Sequence, residues 1–235
     1  MKKIPSIAEL SKEKKILVGM PAFNEGPVIG NVVKHLKKKG FNNILVVDDC
    51  SKDDTSLNAK KEGASVLRHI INRGAGGATA TIIEYAKRND YDYLILMDSD
   101  GQHSVEDAKK LLLTSMKQKI SLVIGSRIKS DYKHMPLQRK IANHIGSFAT
   151  WFVFGKYILD SQSGFRVLDK KAIQSVKLSY DRFEFCSEMI GQAYEHNLSV
   201  IEVPIKVVYS EHSMNKGHGQ NIANGFTMLE RFLFK

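Results

Sequence analysis

Two features of this 235-residue chain predict an α/β fold, a mostly parallel sheet with helices on both faces. Short apolar runs alternate with helical patterns through the first half of the sequence, which implies βαβ crossovers and parallel strand pairing. The runs are continuously apolar, as befits strands covered on both faces. The length suits one compact domain. A composition of 43% hydrophobic and 26% charged residues, with five prolines, excludes wholesale disorder and collagen-like or low-complexity classes.

A polar leader occupies residues 1–14. KILVGM (15–20) is the first strand. Pro27 then sits where a helix can begin, because its missing N–H is not needed there. Val28, Ile29, Val32, Val33 and Leu36 give that helix an apolar stripe, and Gly40 ends it. NILVVDD (43–49) is the second strand, with Asp53 and Asp54 capping the helix after it, and SVLRH (65–69) is the third. A helix from 77 to about 88 leads into YLILMD (93–98), and another from 104 to about 117 leads into SLVIGS (121–126). Beyond Met135 come an aromatic-rich helical stretch (136–158), a loop and short strand in DSQSGFRVLD, and a helix over 183–196. SVIEVPIKVVY (199–209) is a long strand. Residues 15–210 form one domain, and 211–235 a flexible loop and amphipathic helix carrying Ile222, Phe226, Leu229 and Leu233 at helical spacing.

Two cysteines, Cys50 and Cys186, are too few for a disulfide scaffold and fit a reducing compartment. No run approaches the roughly 18 apolar residues of a membrane span. The basic N-terminus has no apolar stretch behind it, so no secretory signal is expected. The formal net charge of +10 invites an anionic partner: nucleic acid, an acidic membrane surface or a phosphorylated substrate.

Ligands of open α/β sheets sit beyond the carboxyl ends of the strands. Strand one ends in Pro21-Ala22-Phe23-Asn24-Glu25, strand two in Asp48-Asp49-Cys50-Ser51, strand four in Asp98-Ser99-Asp100-Gly101-Gln102-His103, and strand five in Gly125-Ser126-Arg127. Asp98 and Asp100, two apart, place both carboxylates on one side of an extended segment. Like charges so placed raise each other's pKa unless a cation relieves them. Oxygen ligands favour Mg²⁺ or Mn²⁺, whose remaining positions suit water and phosphate, so the pair fits a metal–diphosphate site. Gln102 can add a carbonyl oxygen, whereas His103 is expected to be a solvated neighbour. Asn72-Arg73-Gly74-Ala75-Gly76-Gly77 opens a helix but matches neither GxGxxG nor a Walker A sequence. Its glycines, Gly76 among them, let backbone approach a ligand, and Arg73 can meet a phosphate. No Ser-His-Asp or Cys-His spacing supports covalent catalysis, and none suits zinc.

In order and spacing, PAFNE, VVDDCSKDDT, NRGAGGA, MDSDGQH and GSR resemble the family 2 glycosyltransferases. DSQSGFRVL, FEFCSEM and IEVPIKV resemble its dolichol-phosphate mannosyltransferase-like branch. The likeness runs from about residue 15 to 216. It implies a GT-A, Rossmann-like fold, a nucleotide-sugar donor, a divalent metal, and inverting transfer to a polyprenyl or dolichyl phosphate. By motif, Pro21, Ala22, Asn24 and Glu25 would line the nucleotide pocket, and Asp49 or Asp48 would contact the base. Asp98, Asp100 and Gln102 would form the metal site, and Arg127 and Arg139 would hold the acceptor's phosphate. Glu188 matches an acidic position of the family, with a helix-surface place or a salt bridge to Arg166 as the plainer alternatives. The mannosyltransferases carry an arginine, then Gly-x-Ser-Lys, after EVPI. Here Ser210 takes the arginine's place and Lys216 survives, which brings the chain closer to relatives using UDP-sugars than to those using GDP-mannose.

Two other functions compete. A sugar-nucleotide-forming nucleotidyltransferase would carry a Gly-rich loop with Arg and Lys after strand one, which PAFNEG lacks. A nucleic-acid binder would interleave aromatics with basic residues on one surface. Instead, lysines such as Lys34, Lys37, Lys60 and Lys61 lie on helix exteriors, so no nucleic-acid partner is expected. A cytoplasmic protein, peripheral on the cytoplasmic face of the membrane, is expected. Phe148, Trp151, Phe152 and Phe154 would meet lipid or else pack against the sheet or a partner subunit, and the C-terminal stripe flanked by Arg231 and Lys235 would meet lipid or a second copy in a homodimer rather than the core.

Overall fold

The apolar runs pair as one sheet in the computed structural model, which describes residues 5–131, 137–182 and 184–206. Elements follow in the order α1 (Ile7–Glu13), β1 (Ile16–Ala22), α2 (Gly26–Lys38), β2 (Ile44–Asp48), α3 (Thr55–Lys61), β3 (Ser65–Arg68) and α4 (Ala75–Arg88). Then come β4 (Tyr93–Leu96), α5 (Val105–Gln118), β5 (Leu122–Ser126), α6 (Ile128–Asp131) and α7 (Leu137–Phe154). The described residues end with β6 (Arg166–Asp169), α8 (Lys170–Ser175), α9 (Phe185–Glu195) and β7 (Val200–Pro204). Strand order is β3-β2-β1-β4-β6-β5-β7, parallel except at β6, which runs antiparallel to β4 and β5.

Successive strand residues face opposite sides, so each strand feeds two cores. Val18, Val46, Ile95 and Val123 pack with Ile29, Val33, Leu36 and Leu111 under α2 and α5. Leu17, Leu45, Leu94 and Ile124 pack with Ile82, Ile173, Met189 and Ile190 under α4, α8 and α9. Burial on both faces is why these strands lack polar alternation.

Several boundaries differ from expectation. The leader contains α1, capped by Ser6 and Glu9 in a reciprocal capping box, and its Ile7 joins the core. Asp54 occupies the N-cap position of α3 without a side-chain cap bond, while Asp53 accepts from the amides of Thr55 and Gly26 and so ties α3 to the start of α2. Helix α4 starts two residues early, at Ala75, and α7 stops at Phe154, before Gly155 in the left-handed region. Strand β7 ends at Pro204; residues 207–209, and with them the C-terminal loop and amphipathic helix, lie outside the described residues.

Candidate active site

At the carboxyl end of β1, Asn24 takes a left-handed conformation (φ 54°). Its amide donates to Ser51 Oγ (2.9 Å), and its Oδ1 accepts from the Lys52 amide (2.8 Å). The amide of buried Glu25 donates to Thr55 Oγ1 (2.8 Å), and the Pro21 carbonyl accepts from Ser99 Oγ (2.8 Å). Ala22, the last residue of β1, is buried. These bonds lace the turns after β1, β2 and β4 into one wall.

Asp48 and Asp49 are both buried. Asp48 accepts from the Ser51 amide (2.8 Å) and the Ser56 hydroxyl, closing the β2–α3 turn. Asp49 meets His69 Nδ1 (2.7 Å) and accepts from the amides of Arg73 (2.9 Å) and Gly74 (2.6 Å). Both carboxylates are engaged by the chain itself and shape the loops beside the crevice; neither presents an open face to a base.

The glycine turn before α4 departs from the expectation that it admits a ligand. A Cβ on Gly76 would lie 2.2 Å from the Tyr180 carbonyl oxygen and 2.7 Å from that of Arg182. What approaches these glycines is the chain's own backbone at 180–182, with the Gly77 amide donating to the Asp181 carbonyl (3.1 Å). Arg73 pairs with Asp181 (2.8 Å) rather than standing open for a phosphate.

The carboxylate pair lies just beyond β4. The Asp98 side chain is 49% exposed. Asp100 is more enclosed and accepts from the Gln102 amide (3.0 Å) and Gln102 Nε2 (2.7 Å). Gln102 thus turns its amide nitrogen to Asp100 and orients that carboxylate. Burial, and then the charge of Asp98, push the Asp100 carboxyl above its ordinary value. His103 corrects the expectation of a solvated neighbour. It is buried, stacks on Phe165 with ring centroids 4.4 Å apart, and accepts at Nδ1 from the Asp98 amide (3.2 Å). Burial pushes its pKa down to about 4, so a neutral ring pins the turn.

No group of three His, Cys, Asp or Glu converges as a ready-made metal cage among the described residues. A pair of carboxylates in which one charge raises the other's pKa still fits a divalent cation that keeps its other positions for phosphate and water.

Arg127 follows β5, and Asp160 engages its guanidinium edge-on through Nε (2.9 Å) and Nη2 (2.6 Å). Arg139 lies on the first turn of α7, and Lys216 and Ser210 fall outside the described residues. Glu188 fits neither plainer alternative. It is buried and accepts from the amides of Ser179 (2.9 Å) and Tyr180 (3.1 Å), holding the segment that packs on Gly76. Arg166, fully buried, donates instead to the carbonyls of Ser161, Ser163 and Cys186 at 2.7–2.8 Å, and burial lowers its pKa. The Arg166 contacts shape the 160–165 loop, whose Asp160 and Gly164 sequence reasoning left without roles. Their signal was present, inside DSQSGFRVL.

An open α/β sheet with a carboxylate pair at a strand's carboxyl end places the candidate ligand crevice of such a fold at this mouth. Residues 17–177 match glycosyl transferase family 2. An uncharacterized protein of Methanocaldococcus jannaschii is 42% identical over 97% of this chain and 95% of its own. The UDP-N-acetylglucosamine–dolichyl-phosphate N-acetylglucosaminyltransferase of Methanococcus voltae is 36% identical over 94% of this chain and 96% of its own. Among solved structures, glucosyl-3-phosphoglycerate synthase from Mycobacterium tuberculosis with Mn²⁺, UDP and phosphoglyceric acid superposes with a TM-score of 0.72. That match has 16% identity and covers 99% of this chain and 84% of the other. The chain belongs to glycosyl transferase family 2, and its fold is of the GT-A type.

Proposed function

We propose that this glycosyltransferase moves a sugar from a UDP-linked donor to a polyprenyl phosphate, with inversion and with Mg²⁺ or Mn²⁺ at Asp98 and Asp100. The observation that carries this reading is the half-exposed Asp98 beside the more enclosed Asp100, at the mouth of the sheet. The UDP preference is supported by Ser210 at the position where the mannosyltransferases keep an arginine. It is supported also by the Methanococcus voltae relative, whose name specifies UDP-N-acetylglucosamine and dolichyl phosphate.

A cation at this pair would neutralise the charge that builds on the leaving diphosphate. The protein's part is placement. A lipid phosphate is already ionised near neutral pH and needs no strong general base. Its oxygen bonds to the anomeric carbon as the bond from that carbon to the nucleoside diphosphate breaks. Catalysis then rests on alignment and charge neutralisation. Arg127 and Arg139 are suited to the acceptor phosphate, since planar forks grip phosphate oxygens in pairs. Lys216 would add charge to the same phosphates, and the wall built from Pro21, Ala22, Asn24 and Glu25 would flank the nucleotide.

A lipid acceptor requires the enzyme to reach a membrane surface, and two features of α7 support such a contact. Its Asn143, Ser147 and Thr150 are buried, bonded to the Leu159 carbonyl and to Ser187. Its Phe148, Trp151 and Phe152 are 52%, 46% and 57% exposed. A helix with polar residues inward and aromatics outward suits a lipid interface better than water. Phe154 is the exception, packing against Gly191 of α9. No helix among the described residues is long and apolar enough to cross a membrane.

The test is a screen of UDP-sugars against GDP-mannose with radiolabelled donor and a short polyprenyl phosphate, with and without EDTA. A lipid-soluble product from a UDP-sugar, abolished by EDTA and in Asp100→Asn, is expected. Product only from GDP-mannose, or full activity of Asp100→Asn, would overturn the reading.

A further inference from the structure

Asp160 is fully buried, yet it belongs to none of the strand-end clusters. Its Oδ2 accepts from both the amide (2.8 Å) and Nε (2.9 Å) of Arg127, and its Oδ1 accepts from Nη2 (2.6 Å). Backbone and side chain of Arg127 are therefore fixed by one carboxylate. An edge-on pair through Nε and Nη2 also turns Nη1 away from Asp160.

Asp160 is itself fixed from behind. Glu202, on β7, accepts from two successive amides, Leu159 (3.1 Å to Oε2) and Asp160 (2.8 Å to Oε1). Lys129 approaches Glu202 Oε2 at 3.9 Å and donates to its carbonyl at 3.3 Å. From α7, Asn143 Nδ2 (2.7 Å) and Ser147 Oγ (3.0 Å) donate to the Leu159 carbonyl. The peptide leading into Asp160 is thus gripped by β7 on one side and α7 on the other. Buried ion pairs of this kind add little stability over well-packed apolar side chains. What the arrangement achieves is the placement of one guanidinium.

We infer that Asp160, anchored by Glu202, is a positioning residue that sets the orientation of the Arg127 fork toward the acceptor phosphate; this rests on the assignment of Arg127 proposed above. A phosphate held by a planar fork demands a fixed plane, and a rotating arginine loses the second hydrogen bond. Asp160 supplies that plane, and Glu202 carries the constraint from the far edge of the sheet.

The test uses the full chain, the donor found in the screen and a short polyprenyl phosphate, with Asp160→Asn, Glu202→Gln, Arg127→Ala and the double variant Arg127→Ala/Asp160→Asn. Asp160→Asn should raise the apparent KM for polyprenyl phosphate about tenfold, the scale of one lost charge-assisted contact, while the donor KM stays within about twofold. Glu202→Gln should move the same constant in the same direction by a smaller factor. In the Arg127→Ala background, Asp160→Asn should add no further loss in acceptor KM, because the arginine it positions is gone. If Asp160→Asn does not fold, Glu202→Gln carries the test alone. Equal shifts in donor and acceptor constants, or additive losses in the double variant, would overturn the inference and leave Asp160 a structural residue. An unchanged acceptor KM in Arg127→Ala would instead overturn the assignment of Arg127 itself.

Discussion

Gly164→Ala separates the function of the carboxylate pair from the stability of the fold. A Cβ at position 164 would lie 2.7 Å from Asp98 Oδ1 and 3.4 Å from its Cγ. Ordinary contact begins near 3.5 Å, so the carboxylate oxygen must withdraw by roughly 1 Å. Asp98 is half exposed, so its side chain can swing outward at the cost of its 3.6 Å contact with His103 Nε2 rather than of core packing. The stability cost should stay near that of a surface substitution, about 0.5 kcal/mol. For a chain of this size that lowers the melting temperature by about 1–2 °C. The catalytic cost should be far larger, because a misplacement of this size can reduce turnover about a hundredfold. The assays are initial rates of radiolabel transfer across a Mn²⁺ titration, and thermal melting on the same preparations. Wild-type rates in a normally melting Gly164→Ala protein would refute the role of Asp98. A collapse in melting temperature would refute the claim that its side chain moves at small cost.

Gly76→Ala should do the opposite, since its Cβ meets backbone oxygens that cannot swing aside. About 1–3 kcal/mol should be lost, read as a melting temperature lower by several degrees. Burial pushes the Cys186 thiol up to about 11, so at pH 8 it stays protonated and inaccessible. Titration of the native protein with a thiol reagent should therefore find one fast thiol, Cys50. Cys186 should react only after denaturation or as the pH nears 11, and two fast native thiols would contradict its burial. Replacing Phe148, Trp151 and Phe152 with serine should leave the melting temperature nearly unchanged and abolish flotation with anionic liposomes, whereas retained flotation would remove α7 as the membrane contact.

The sheet was legible in the sequence because its cause is local. Val18 and Leu17, or Ile95 and Leu94, are apolar neighbours serving opposite cores, and that need is written directly into continuous apolar runs. The carboxylate pair was legible for a similar reason, as two acids at one strand end. The roles of Gly76, His103, Glu188 and Asp160 were not. Gly76 is glycine because of Tyr180 and Arg182, more than a hundred residues on. His103 is stacked on Phe165, and the backbone amide of Asp160 is held by Glu202. A reading by spacing assigns such residues from their neighbours in the chain, and these take their roles from partners that only folding supplies.

This same contrast explains why the acids at the mouth of the sheet are not interchangeable. The side chains of Asp48, Asp49 and Asp160 are 0–4% exposed, and each meets donors or cations from its own chain. A buried carboxylate must be satisfied in this way, and once satisfied it serves as a fixed joint. Asp48 and Asp49 tie down the β2–α3 turn and the loop before α4 on one side, and Asp160 joins β5, β7 and α7 on the other. Between them stands Asp98, half in solvent and close enough to lift the pKa of Asp100. Asp98 Oδ2 also lies 3.6 Å from Nε2 of the buried His103. Under the function proposed above, a cation arriving with a diphosphate would offset the charge of this pair. The joints on either side would then hold the proposed donor and acceptor loops in register with it.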